Sequence, residues 1–173
     1  DQLIPARFMS ASRAEGYGRF LLHDLREDDA DFPLDRHPGA SMLVAGPNFG
    51  CGSSREAAVY ALVDAGIRVV VAESFADIFA GNAVNNGLLP VATPEAAALR
   101  AAIGQGAVPA RVDLASRRLS VAGQELNFAL SETAQAKLMN GWDDIDLTRA
   151  HAGDIRNFRD RRKTDHAWAW PSA

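Results

Sequence analysis

From Ser41 onward the apolar residues fall into short blocks whose spacing switches between that of strands and that of helices. Ser41 to Ala45 is a short apolar strand that runs into the turn Gly46-Pro47-Asn48-Phe49-Gly50-Cys51-Gly52. Helical spacing follows from Arg55 to Ala65, with Ala58, Ala61 and Leu62 on one face and Gly66 as the stop. Ile67 to Ala72 is a β-branched run without alternation, which predicts a strand buried on both faces. Ser74 is expected to cap a helix through Phe79, and Leu88 to Val91 makes another short strand. This rhythm predicts an α/β layer, a sheet flanked by helices. Pro94 to Ile103 then reads as a helix with Pro94 in its first turn. Arg111 to Ala115 and Leu119 to Val121 form a hairpin around Ser116-Arg117-Arg118, and Glu125 to Leu130 is a third strand. Ser131 caps a helix to Asn140, which Gly141 ends.

The two ends of the chain are less regular. Residues 1–40 are polar and irregular and predict a short helix or two with a long surface loop. Residues 151–163 read as a charged surface helix, followed by a tail with Trp168 and Trp170 suited to docking on a partner or on the domain itself. With no repeat, linker or low-complexity tract, residues 1–173 are expected to form one domain. The chain opens in mid-pattern at Asp1-Gln2-Leu3-Ile4-Pro5, so upstream residues are expected.

Composition narrows the function classes. A net charge of −4 gives no electrostatic support to general binding of nucleic acid or of anionic membranes. The longest apolar runs fall far short of a membrane span, and no secretory signal is visible. Cys51 is the one cysteine, so no internal disulfide forms and a reducing, cytoplasmic setting is the natural reading. Any anion must therefore be caught locally, by oriented backbone groups and a few arginines.

The segment Asn48 to Glu56 has the means to do so. Gly50 and Gly52 permit positive φ and close approach to the main chain. Ser53 and Ser54 stand at a predicted helix start, where unpaired N–H groups favour an anion, and Arg55 offers a two-pronged grip on a carboxylate. The same residues also read as an ordinary helix start, with a serine cap and Glu56 completing a capping box. Neither the phosphate-loop nor the dinucleotide fingerprint is matched.

Asn48 to Glu56, with Ala65 to Ala72, Ser74-Phe75-Ala76-Asp77-Ile78-Phe79 and Asn86-Gly87-Leu88-Leu89-Pro90, resembles the small subunits of 3-isopropylmalate dehydratase. The likeness extends to Asp1-Gln2-Leu3-Ile4-Pro5-Ala6-Arg7 and to Asn140 to Thr148, and so covers almost the whole chain. It implies the aconitase-type swivelling β/β/α domain. It also implies a hydro-lyase that interconverts 2- and 3-isopropylmalate in leucine biosynthesis.

By that resemblance Ser53 is the catalytic base, and Ser54 and Arg55 hold a substrate carboxylate together with it. Arg7 is a candidate for the distal carboxylate or for the interface. Asp1 would face the active site and support a histidine of the catalytic partner. A serine hydroxyl is a weak acid, so such a base needs its alkoxide stabilised by N–H groups, Arg55 and the partner. The family's 4Fe-4S cluster is held by several thiolates, which a chain with one cysteine cannot supply. A large iron-sulfur subunit is therefore the expected partner, in a heterodimer or higher assembly closing around a small dicarboxylate, and no metal is expected on this chain.

Other residues read more plainly. Cys51 is expected to be a small buried packing residue, and His23, His37, His151 and His166 to lie at the surface without ligand spacing. Asp143, Asp144 and Asp146 alternate with Ile145 and Leu147 as in a half-buried strand. The family pattern breaks where His-Ala-Pro is replaced by Ala57-Ala58-Val59, which opens the substrate to other hydroxy diacids of dimethylmalate or citrate type. Ser12 to Arg19 falls where the family reads the variable side chain of the substrate. A stand-alone carboxylate-binding module and a subunit kept only for assembly are the alternatives of another class.

Overall fold

The computed structural model describes residues 2–52 and 55–170. Contacts divide the chain into two compact units, Asp1–Gly141 and Trp142–Ala173.

The first unit opens with three single 3₁₀ turns, then α1 (His23–Asp28) and α2 (Pro33–Arg36). The sequence pattern suggested a short helix or two with a long surface loop; the two short helices are there, but Leu3, Ile4, Tyr17, Phe20 and Leu21 are buried in the core. The Phe8 and Phe20 rings stack at 4.3 Å, and Leu22 N–H donates to the Leu3 carbonyl at 2.9 Å. Tertiary contacts between turns bury these side chains, and turns carry neither a two-residue nor a 3.6-residue period that would reveal it.

The α/β layer is a parallel sheet of β1 (Met42–Val44), β2 (Val69–Ala72) and β3 (Leu89–Ala92), in that spatial order. Its crossovers are α3 (Ala57–Asp64) and α4 (Asp77–Asn85). β2 is central, with Leu43 of β1 opposite Val70 and Val91 of β3 opposite Val71. Successive side chains of a strand point to opposite faces, so Val70 enters a core with α3, α4 and the N-terminal turns. Val71 enters a second core with α5 (Ala96–Ile103) and the residues of a second sheet. Pro90 is tolerated because Leu89 N–H donates to the Arg68 carbonyl just before β2 and Thr93 N–H to the Ala72 carbonyl at its end, each at 2.9 Å, which leaves the Pro90 nitrogen facing away from β2.

Both crossover helices stop in the same way. Ile67 N–H reaches the Leu62 carbonyl at 3.0 Å and Gly66 N–H the Val63 carbonyl at 3.0 Å, a Schellman motif. Leu88 to Ala83 at 2.9 Å and Gly87 to Val84 at 3.2 Å repeat it at the end of α4.

The second sheet is an antiparallel meander of β4 (Ala110–Asp113), β5 (Arg118–Val121) and β6 (Gln124–Asn127). Leu119 and Val121 are buried, while Arg118 and Ser120 alternate with them. α6 (Glu132–Asn140) begins at Ser131, whose Oγ accepts Ala134 N–H at 3.2 Å, and ends at Gly141. Lys137 on α6 is only 7% exposed and donates from Nζ to Asn85 Oδ1 at 2.8 Å.

In the second unit α7 (Asp144–Arg149) replaces the strand expected around Asp143, Asp144 and Asp146. Asp143 Oδ1 accepts the N–H groups of Ile145 and Asp146, each at 2.8 Å, and the Asp146 carboxylate reaches back to Asp143 N–H. This capping box satisfies helix-start donors, and that local gain overrides a short alternation. α8 (Ala152–Asp165) buries none of its residues, as its charged pattern implied, and Trp168 is 83% exposed.

Two glycines stand where a side chain does not fit. A Cβ on Gly18 would lie 2.7 Å from the Asp64 carbonyl carbon and 2.8 Å from Ala65 N, and backbone at the end of α3 cannot yield cheaply. A Cβ on Gly50, at φ +81°, would run into the buried ring of Phe79. Gly18→Ala and Gly50→Ala are therefore expected to cost about 1–3 kcal/mol each, with Gly50→Ala at the upper end. Gly81→Ala, which meets nothing within 4 Å on α4, should leave the melting temperature level or higher. Thermal unfolding of the three variants checks the order.

Acid should loosen the N-terminal turns. Hydrogen bonds from Arg7 hold the Asp24 carboxyl below the usual carboxylate range, and those from Arg26 do the same for Asp35. A carboxyl lowered in the folded state contributes stability that is complete above about pH 4 and lost as pH falls through its folded value. Melting temperature measured against pH should therefore fall less steeply on the acid side in Asp24→Asn and Asp35→Asn than in the parent chain.

Candidate active-site loop

The segment after β1 is tied to the segment after β2. Asn48 N–H donates to Ser74 Oγ at 2.8 Å and Phe49 N–H to the Ser74 carbonyl at 2.9 Å. Ala76 N–H returns to the Phe49 carbonyl at 3.0 Å, which completes a parallel bridge between Phe49 and Phe75. Ser74 thus does not cap α4, whose first flanking residue is Ala76. Its hydroxyl serves the loop instead.

Beneath this bridge three rings pack together. Phe49 lies edge-on to Phe79 at 5.3 Å, and Phe75 is parallel to Phe79 at 6.2 Å. Gly50 crosses directly over Phe79, which is the close approach that excludes a side chain there. Asn48, Gly50 and Gly52 all have positive φ, as the Gly-rich turn implied, so the backbone doubles back outside the carboxyl ends of parallel strands. In open α/β sheets that is where ligands bind.

Of the residues singled out from the sequence, Ser53, Ser54 and Asp1 lie outside the described residues. Arg55 is exposed, with Nη1 against the Met9 sulfur. Met9 directly follows the 3₁₀ turn that carries Arg7, so the structure brings the two arginine-bearing segments together. Arg7 is ion-paired with Asp24 through both terminal nitrogens and stacks over the Phe8 ring at 4.6 Å. Cys51 is exposed, which corrects the packing role expected of it: its turn lifts it off the core while Phe49 fills the space below.

Ala57 is half-buried and packs on the first core, beside the fully buried Ala58. His23 Nδ1 is 3.4 Å from Glu27 and 3.5 Å from Asp24. The two oxygens of Asp24 already take the Arg7 guanidinium, so this group reads as an ion-pair cluster rather than a metal site.

The capping-box reading of Glu56 does not hold, because Glu56 itself is the flanking residue of α3 and makes no side-chain cap bond. Its Oε2 accepts the Tyr60 hydroxyl at 2.8 Å and its Oε1 accepts Asn86 Nδ2 at 3.2 Å. Sequence reasoning missed Tyr60 and Asn86. The four-residue step from Glu56 to Tyr60 was visible, but the contact with Asn86 requires α3 and α4 to be side by side. A cavity of about 750 Å³ lies elsewhere, lined by Leu34, Met42, Val44, Ile103 and Val112 among others, and none of the described residues from 46 to 56 borders it.

Comparison with known proteins bears on this arrangement. The 3-isopropylmalate dehydratase small subunit of Shewanella baltica is 48% identical over 172 residues, spanning 91% of this chain and 85% of that protein. Its counterpart in Rhodospirillum centenum is 42% identical over 180 residues, 98% of this chain and 89% of that one. The aconitase C-terminal domain family matches residues 24–96. A crystal structure of a 3-isopropylmalate dehydratase from Methanocaldococcus jannaschii superposes with a TM-score of 0.69 at 24% identity, covering 91% of this chain and 90% of that one. The fold is thus the aconitase-type swivelling domain expected from the sequence. By identity over nearly its whole length, the chain belongs to the 3-isopropylmalate dehydratase small-subunit family.

Proposed function

We propose that this chain is the small subunit of a cytoplasmic hydro-lyase that interconverts 2-isopropylmalate and 3-isopropylmalate by dehydration and rehydration, in leucine biosynthesis. The observation that carries the reading is 42% to 48% identity to proteins of that name across more than nine-tenths of the chain. The position of the Gly50–Gly52 turn outside the carboxyl ends of β1 and β2 supports it.

In this reading Ser53 removes the proton next to a substrate carboxylate, and Ser54 with Arg55 holds that carboxylate in place. A serine base works only where its alkoxide is stabilised, a role that falls in this reading to Arg55 and N–H groups of the turn. Arg7 takes the distal carboxylate and shares its charge with Asp24. Asp1 steadies a histidine of the large subunit. A 4Fe-4S cluster does not fit this chain, which has a single, exposed cysteine where several thiolates are needed. The cluster belongs to the large subunit, and the residues here bind, orient and deprotonate. Among the described residues no helix is long and apolar enough to cross a membrane.

A second reading keeps the machinery and changes the substrate. Ala57 brings no polar group to the start of α3, where the family pattern has histidine, which favours a different hydroxy diacid.

The test is turnover of the pair reconstituted with its large subunit on a panel of hydroxy diacids. Isopropylmalate should be the best substrate; rapid turnover of another acid with none of isopropylmalate would select the second reading. Failure to pair with any iron-sulfur subunit would favour a stand-alone carboxylate-binding module. In the active pair, Ser53→Ala should lower kcat by about 100-fold or more. Arg55→Lys should act mainly on KM, because the ammonium loses the two-pronged grip. Unchanged turnover in Ser53→Ala would remove that residue from the mechanism.

A further inference from the structure

Glu56 follows Arg55 directly and has no part in the chemistry proposed for the loop, yet both its carboxylate oxygens are taken. Tyr60 donates to one at 2.8 Å from within α3, and Asn86 donates to the other at 3.2 Å from the end of α4. Asn86 is itself fixed, since the same amide nitrogen donates to the Asn82 carbonyl at 2.9 Å. Tyr60 is fixed too: the Arg13 guanidinium lies 4.2 Å over its ring, and Arg13 is ion-paired with Asp64.

An exposed carboxylate is well satisfied by water, and ordering it at two points costs side-chain entropy. Such ordering does mechanical work when the backbone that carries it must not drift. Glu56 makes no side-chain cap bond at the start of α3, and Ala57 offers no polar group where the family pattern has histidine. We infer that Tyr60 and Asn86 are positioning residues for the active-site loop: by clamping Glu56 from two helices they fix where the chain leaves Ser53-Ser54-Arg55 and enters α3. Neither touches the substrate; both act through Glu56. The inference rests on the loop being the active-site edge proposed above.

The reconstituted pair tests it. Tyr60→Phe keeps the ring under Arg13 and removes only the hydroxyl. It is expected to lower kcat/KM about tenfold, because small displacements of groups that hold and deprotonate a substrate are costly. Both kcat and KM should move, since the loop carries base and carboxylate holder together. Asn86→Ala should act in the same direction. Glu56→Ala should give the full loss, and adding Tyr60→Phe to Glu56→Ala should give no further loss.

A spectroscopic readout is independent of turnover. The hydrogen bond that Tyr60 donates to the Glu56 carboxylate holds the phenol's pKa above the ordinary tyrosine range. With two tyrosines in the chain, the difference from Tyr60→Phe isolates its phenolate absorbance, and Glu56→Gln should bring the titration back toward the usual value. Wild-type kcat/KM in Tyr60→Phe and Asn86→Ala, a multiplicative loss in the double variant, or a titration unmoved by Glu56→Gln would each overturn the clamp. Ser53→Ala and Arg55→Ala in the same assay separate the two failures. If these also turn over normally, the reading of the loop is wrong and the clamp falls with it; if they are crippled while Tyr60→Phe is normal, the clamp alone is wrong.

Discussion

Strand β2 is enclosed on both faces and on both edges, and the rest of the first unit is arranged around that constraint. A buried strand cannot leave its N–H and C=O groups unpaired, so β1 and β3 must flank it. Its side chains alternate between two cores, with Val70 in one and Val71 in the other, so both faces must be covered. α3, α4 and the N-terminal turns cover one face, while α5 and the antiparallel sheet cover the other. Parallel strands joined by helices then deliver the β1–α3 and β2–α4 turns to the same end of the sheet. The loop is held at that end by backbone hydrogen bonds to Ser74 and Ala76 and by the packing of three phenylalanines.

That arrangement explains why so much of the loop is glycine and why its neighbours are aromatic. Phe79 is fully buried on α4, yet its ring forms the floor under Gly50. The turn is therefore stiffened from below by the same core that stabilises the sheet. The N-terminal turns contribute from the side, where Gly18 lies flat on the end of α3 and Tyr17 N–H donates to Asp64 at 2.7 Å. Met9 from these turns touches Arg55, so the N-terminal segment reaches the arginine expected to hold a substrate carboxylate.

The chemistry that this chain can contribute is limited by its donors. It offers serine hydroxyls, arginines and oriented N–H groups, and one cysteine that stands exposed in the turn. Groups of that kind are able to bind an anion and move a proton, but one thiol does not hold an iron-sulfur cluster. The family in which the chain falls is one of small subunits, and that name implies a large partner subunit.

The sequence alone determined the elements with strong, regular signals. These were the unalternating run of β2, the apolar face of α3, the hairpin strands and the serine-capped α6, because burial on a sheet or helix face leaves a period in the chain. It also singled out the Gly50–Glu56 segment, whose glycines, serines and arginine are a local statement about backbone freedom and charge. It anticipated the short helices of the first 40 residues, but the surface loop it expected there is in part a set of 3₁₀ turns whose burial depends on ring stacking. Its strand around Asp143 lost to a capping box, and its cap at Ser74 to a hydroxyl that bonds across to Asn48. Only the tertiary structure decided that Cys51 faces outward, that Phe79 lies beneath Gly50, and that Asn86 and Tyr60 meet on Glu56. Each of these needs two segments side by side, and which segments become neighbours is set by the packing of both faces of β2.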